Sequence, residues 1–355
     1  MKTDLDFLLK LLKIPSVSAN TEEVNKALDC MQAYLEKHGV LCRMENMDGH
    51  KVLYASTMAG KEQDWLLNAH MDVVPAAPAD FEPRIEGDLI YGRGTNDCKG
   101  CCLAIAQTLI ALVGKASVGA IFTADEEIGG NTTRYMVEKG YAARKLVIVV
   151  DSSAYSIVTA EKGMVNFTLR AKGKAAHSSR PWDGENAIDN LIDGYLKLRK
   201  AWGKNAPAED GDNWFDTMAA DIITGGEIFN KVPDRAEMVI NVRFTKPGDE
   251  KRICNFIKET TGLEVTHDEV SMPVFCDEKE TVLQKLQAAM QRKWNDKEIP
   301  FIKISGATDA RHFAINKAPI AIIGIEGENC HTENEWASIK SISDTAEMLI
   351  DFINS

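Results

Sequence analysis

Apolar positions along the chain follow two rhythms. Residues 5–12 and 22–37 carry them at helical spacing, and Asp4, Asp6, Lys10 and Lys13 interrupt the first stretch, so both segments predict amphipathic helices. Residues 41–46 alternate like a strand, and the run 65–75 begins apolar and ends polar. A helix over about 98–113, a buried strand over 117–127, a helix over 132–140 and another buried strand over 145–153 follow. Continuous apolar strands separated by helices predict an α/β fold with a mostly parallel sheet and helices on both of its faces.

The rhythm changes between about Gly163 and Met272. A strand (164–173), a helix (186–202), two strands (221–229 and 236–244), a helix (250–262) and a strand (263–270) give the order βαββαβ, a split ferredoxin-like sandwich. The earlier pattern returns with a helix over 281–294, a strand over 318–325 and a closing helix from Ser341. The chain is therefore read as a larger α/β domain, 1–163 and 273–355, carrying an inserted domain, 164–272. No repeat or low-complexity tract is present, and the loop-like polar stretch 203–213 lies inside the insert.

Composition supports this reading. A chain of 355 residues, 45% of them hydrophobic, exceeds the size at which a single core stops growing. No run of eighteen apolar residues occurs, and the first twenty residues read as an amphipathic helix without a small-residue cleavage site, so neither a membrane span nor a signal peptide is expected. Eight cysteines scattered over this length do not form the dense framework of a secreted domain, which points to reduced thiols in the cytoplasm. A net charge of -12 without a Lys/Arg-rich block argues against nucleic acid.

Ionisable residues gather where apolar runs end. His70 and Asp72, one residue apart, would share a strand face, so one could bind metal while the other orients it. Asp97 sits in a glycine-rich turn before a helix; the plainer role for it is an N-cap. Asp125, Glu126 and Glu127 follow a buried strand, where adjacent carboxylates repel unless cations compensate them. On one view they form a solvated acidic loop; on the other, one glutamate ligates and the other, across the strand, faces a bound water. Asp151 ends a further apolar run, and His331 arrives late in the chain. Two imidazoles and several carboxylates suit a divalent ion such as zinc, and a shared carboxylate can hold two ions roughly 3.5 to 4 Å apart. His312, beside Arg311, is a rival ligand, whereas His38, His50 and His267 read as surface residues.

The order H-x-D, G-R-G-x-x-D-x-K-G, D-E-E-x-G, an isolated Asp and C-H-T-E-N-E resembles the co-catalytic metallopeptidases related to acetylornithine deacetylase, succinyl-diaminopimelate desuccinylase, carboxypeptidase G and aminoacylase. The resemblance covers nearly the whole chain. It implies two metal ions, zinc first with cobalt or manganese as alternatives, one held by His70 and Asp151, the other by Glu127 and His331, with Asp97 bridging them. Glu126 would be the general base, and a metal-bound water the nucleophile that opens an amide bond of a small N-acyl amino acid or dipeptide-like substrate carrying a free carboxylate. The family's inserted domain serves as lid and dimerisation domain, so a homodimer is expected. His177 and Asn230 match positions that stabilise the oxyanion, Arg243 a position near the substrate carboxylate, and Gly306 and Thr308 a glycine-rich loop beside the substrate.

Other readings stay open at this point. A dedicated acetylornithine deacetylase or succinyl-diaminopimelate desuccinylase is one, and a catalytically inactive dimeric homologue another, although such a homologue need not keep every ligand and the base. Cys98 departs from the family, which commonly has methionine or another apolar residue there. Cys98, Cys101 and Cys102 could be redox-active at a helix start or simply pack the helix, and a closed zinc site made of all three would lack a fourth ligand.

Overall fold

The computed structural model describes the whole chain except residues 208–210, 212 and 316. It separates into two compact units, Met1–Ala160 with Phe275–Lys303 and Thr308–Ser355, and Glu161–Val274 with Ile304–Ala307.

Each helix of the first unit buries one stripe. In Thr21–Lys37, Val24, Ala27, Leu28, Met31 and Leu35 recur every three or four residues and are buried. Asn20 caps its start by accepting the Glu23 amide (3.3 Å), a contact of a kind that stabilises a helix by about 1 kcal/mol. Lys99–Leu112 is apolar nearly all round and correspondingly buried almost throughout. These helices, with Leu5–Leu12, Thr281–Lys293 and Ile339–Asn354, join the sheet in one apolar core.

The central sheet runs in the order Leu41–Met47, His50–Ser56, Val118–Thr123, Glu62–His70, Ala142–Ser153, Ile320–Ile325, Ile157–Glu161. Its middle four strands are parallel neighbours, and the flanking pairs at both sides are antiparallel. Parallel strands bring their carboxyl ends to one edge: His70 pairs with Thr123, Asn68 with Val149 and Ile325 with Ser153. Residues following those strands therefore meet at one place, the usual location of a site in an open α/β sheet. A small antiparallel sheet, Gly327–Glu328, Trp336–Ser338, Leu89–Tyr91 and Arg84–Glu86 in that order, holds the loops 92–98 and 329–335 that flank it.

The second unit has the order βαββαβ, with an antiparallel sheet Thr217–Gly225, Arg235–Phe244, Gly163–Lys172, Glu264–His267 and helices Ala187–Trp202 and Asp249–Thr261 around its own apolar core.

Three expectations need correction. The strand read at 221–229 runs instead over Thr217–Gly225, with a register shift between Ala220 and Ile222. It stops because Gly226 takes a φ of 75°, outside the extended region, so the apolar pair Ile228 and Phe229 lies beyond it. The strand of the 65–75 run ends at His70, so His70 and Asp72 do not share a strand face. Glu126 and Glu127 stand in a short 3-10 turn, Glu126–Ile128, rather than on opposite sides of a strand. Of the polar stretch 203–213, residues 208–210 and 212 lie outside the described residues. No described helix is long and apolar enough to cross a membrane.

Candidate metal centre

His70 ends its strand with a buried imidazole (1% exposed) whose Nδ1 lies 2.9 Å from the Asp72 main-chain carbonyl. A carbonyl only accepts, so Nδ1 carries a proton, the arrangement that would leave the Nε2 lone pair to a bound metal. Nε2 lies 2.8 Å from Oδ1 of Asp97. The other carboxylate oxygen of Asp97, Oδ2, lies 3.0 Å from Nε2 of His331, and the same nitrogen is 3.1 Å from Oε2 of Glu127. Asp151, at the end of the next strand, puts Oδ1 3.8 Å from His70 Nε2. The Asp97 carboxylate thus lies between two imidazoles, one oxygen to each.

The Asp72 side chain does more than orient His70. Its carboxylate is 3.4 Å from His70 Nδ1, accepts from Ser18 Oγ (2.6 Å), and accepts the main-chain amides of Glu126 (3.2 Å) and Glu127 (3.3 Å). One buried carboxylate therefore sets both the imidazole and the turn that presents the two glutamates.

Asp97 is not the cap of the helix that follows; Cys98 holds that position, after a cis Asp97–Cys98 peptide bond. The loop is fixed by Glu335, which the sequence reading quoted in its motif without giving it a role. Its carboxylate accepts the amides of Gly94 (2.9 Å), Asn96 (2.9 Å) and Asp97 (3.0 Å), and pairs with Arg93 Nη1 at 2.6 Å. Arg93 Nη2 donates onward to the Thr332 carbonyl (3.0 Å), which ties the Asp97 loop to the loop bearing His331. His331 itself takes a φ of 64°, uncommon for a residue with a side chain.

The electrostatics are those of a pocket lacking positive charge. Burial pushes the carboxyls of Glu127 and Asp151 up to about 7, and that of Glu126 well above its ordinary range with Asp151 and Asp309 adding to the rise. Hydrogen bonding to Asp97 lifts His331 to about 9. Burial opposes the ionised form of Asp97, yet its two imidazole neighbours hold it well below the usual carboxylate range. Oε1 of Glu127 is buried without a hydrogen-bond partner. A buried carboxylate oxygen without a partner, and two imidazoles set against one shared carboxylate, are surroundings that a bound cation would satisfy in place of those protons. Among the described residues, two groups bring ligand atoms within 4.8 Å of one another: His70, Asp97 and Glu127, and His70, Cys98 and Asp151. The residues present fit a pair of divalent ions.

The remaining residues singled out above belong to neither group of ligand atoms. His312 joins neither group: its Nε2 is 3.0 Å from the Gly129 carbonyl, and burial, with Arg311 adding to it, lowers it to about 4. Arg311 places Nη2 3.9 Å from Oε1 of Glu126. Cys101 and Cys102 donate to the carbonyls of Asn96 (3.5 Å) and His70 (3.1 Å) and each contacts the Cys98 side chain, but the three sulfurs do not form a group mutually within 4.8 Å among the described residues. Thr308 is buried, with Oγ1 accepting from Ala310 N (3.1 Å), and no atom outside its immediate neighbours lies within 4 Å of where a Gly306 Cβ would stand. His177, Asn230 and Arg243 belong to the second unit. His177 pairs in register with Lys231, next to Asn230, whose carbonyl accepts from Ser178 N (3.1 Å). Arg243 Nε donates to Asn241 Oδ1 (3.2 Å).

Comparison with known proteins shows the family. The model of peptidase family M20/M25/M40 matches residues 66–355. A probable succinyl-diaminopimelate desuccinylase of Staphylococcus aureus is 27% identical over 342 residues, covering 84% of this chain and 85% of that protein. An M20 family metallo-carboxypeptidase from Sulfolobus solfataricus has the same fold, with a TM-score of 0.79, 20% identity and 99% of each chain covered. A dinuclear metal-binding peptidase of the M20 family from Bacillus subtilis superposes with a TM-score of 0.69 at 14% identity, over 99% of this chain and 98% of that one. The chain belongs to peptidase family M20/M25/M40 and is a metallohydrolase of that family.

Proposed function

We propose that this enzyme binds two divalent ions, zinc in the first place, and hydrolyses an amide bond of a small N-acyl amino acid or dipeptide-like substrate with a free carboxylate. The observation that carries this reading is the Asp97 carboxylate with one oxygen toward His70 and the other toward His331. His70 and Asp151 would hold one ion, Glu127 and His331 the other, with Asp97 common to both. Bound ions supply Lewis acidity, polarising the scissile carbonyl and acidifying water.

The chain's own groups do the rest. Glu126, largely buried and held in place through its amide by Asp72, takes a proton from the attacking water at its carboxylate and returns it to the departing nitrogen as the carbon–nitrogen bond breaks. Burial raises the proton affinity of its carboxyl, which favours taking up that proton. His177 and Asn230 would stabilise the developing oxyanion, Arg243 would receive the substrate carboxylate, and Gly306 and Thr308 would line the substrate loop. The second unit would act as lid and dimerisation domain: exposed Ile192 and Leu196 on its helix and Ile222 and Ile223 on its edge strand support a homodimer through that face. Eight free cysteines suit a reducing compartment, the cytoplasm.

A dedicated succinyl-diaminopimelate desuccinylase is the second reading, favoured by the Staphylococcus aureus relative. Initial rates on N-acetyl and N-succinyl amino acids and on dipeptides, before and after chelation and metal restoration, separate the two. Chelator-sensitive hydrolysis spread over several acyl groups is expected, whereas turnover confined to one succinylated diamino acid would select the second reading. Glu126→Gln is expected to keep both metals and lose at least about 100-fold in kcat. Wild-type kcat in that variant contradicts the mechanism.

A further inference from the structure

One thiol lies among the candidate ligand atoms, with the side chains of Cys101 and Cys102 hydrogen-bonded to it. Cys98 directly follows Asp97, is 0% exposed, and starts the helix Lys99–Leu112, whose first turn sits under the carboxyl ends of the parallel strands. Its Sγ lies 3.2 Å from the carbonyl of Val150, the residue before Asp151. The ligand atoms of His70, Cys98 and Asp151 lie within 4.8 Å of one another, and His70 Nε2 is 2.8 Å from Asp97. In a tetrahedral zinc site with sulfur at about 2.3 Å and nitrogen or oxygen at about 2.0–2.2 Å, neighbouring donors sit about 3.5 Å apart, against the 4.8 Å within which these atoms lie without an ion. Cys101 and Cys102 bond main-chain carbonyls and the Cys98 side chain, and neither belongs to a convergent ligand group among the described residues.

We infer that Cys98 is a ligand of the ion held by His70 and Asp151. This rests on the dimetal reading and makes the two ions unequal. His70, Cys98, Asp151 and Asp97 would then offer that ion four protein donors, while the ion held by Glu127 and His331, with fewer, keeps more positions open for water and substrate. As the sulfur–metal bond forms, the thiol proton passes to solvent. A sulfur donor selects zinc or cobalt over manganese at that position and leaves the other, all oxygen and nitrogen, less selective.

The test is cobalt(II) titration of the metal-stripped full-length chain, followed in the near-ultraviolet, where thiolate-to-cobalt charge transfer absorbs. The band should grow through the first equivalent, stay flat through the second, vanish in Cys98→Ser and persist in Cys101→Ala and Cys102→Ala. Circular dichroism checks that each variant is folded. Independently, X-ray absorption at the zinc edge of the wild-type enzyme should show one sulfur shared over two zincs at about 2.3 Å. Two cobalts bound, with amide hydrolysis and no such band, overturn the inference and leave the dimetal reading standing. A band lost in Cys102→Ala instead of Cys98→Ser overturns it as well. Failure to bind two metals at all defeats the dimetal reading, and this inference with it.

Discussion

Removing the Glu335 carboxylate tests how the site is held. Glu335→Ala leaves the Arg93 guanidinium, 4% exposed, without its partner at 2.6 Å, and strips acceptors from the amides of Gly94, Asn96 and Asp97. Breaking a buried pair by deleting one partner costs about 3–5 kcal/mol, mostly from the charge left behind. The freed amides do not add their full value, because the loop can relax toward water. Loss of such support behind a ligand also weakens metal binding about 10–100-fold. The assays are urea unfolding of the metal-free protein and competitive metal titration. The double variant Arg93→Met, Glu335→Leu separates the two effects. It removes the orphaned charge and should regain most of the stability, but the Asp97 loop stays unpinned and metal binding stays weak. Unfolding of Glu335→Ala within about 1 kcal/mol of wild type, with unchanged metal affinity, would refute the reasoning.

Two further outcomes follow from the same coordinates. At Gly130, φ is 68° and an added Cβ would stand 2.3 Å from Asp309 Oδ1 and 2.7 Å from His312 Nε2, so Gly130→Ala should destabilise by about 2–4 kcal/mol in urea unfolding, and a neutral result would mean the turn after Glu127 is pliable. In the metal-free protein Glu127 and Asp151 rise to about 7 and His331 to about 9, so each binds more protons folded than unfolded. Their contribution is complete below the ordinary values of 4.5, 3.8 and 6.5 and is lost as pH climbs through about 7 and then about 9. Metal takes the place of those protons, so the rise in Tm on adding zinc should widen from pH 5 to pH 9; a shift independent of pH would show that these groups do not bind the ion.

Much of this was legible because buried parallel strands are continuous apolar runs, and a charged residue directly after such a run must lie at the sheet's edge. That logic locates Asp151 after Val147–Val150 and the acidic triplet after Val118–Thr123. It misjudges positions by a residue or two where the chain turns: the strand through Asn68 stops at His70, and the glutamates enter a 3-10 turn, both consequences of hydrogen bonds to Asp72 that no local pattern encodes. Glu335 acts on the amides of Gly94, Asn96 and Asp97, and Arg93 on Glu335 and the Thr332 carbonyl, partners far apart along the chain, so periodicity is blind to them. Flanking strands such as His50–Ser56 and Ile157–Glu161 were not resolved from their surroundings because short apolar stretches carry no distinctive period. Near Gly225 and Gly226 the apolar pattern continues into Ile228 and Phe229 although the backbone has already left the sheet.

The most direct test of the central claim is metal content per chain, measured by mass spectrometry after exhaustive dialysis, for wild type, Asp97→Ala and Glu126→Gln, each beside its rate of amide hydrolysis. A carboxylate shared by two ions predicts about two metals in wild type and in Glu126→Gln, turnover only in the former, and the loss of both metals in Asp97→Ala. A single metal in wild type, or two retained in Asp97→Ala, contradicts the account.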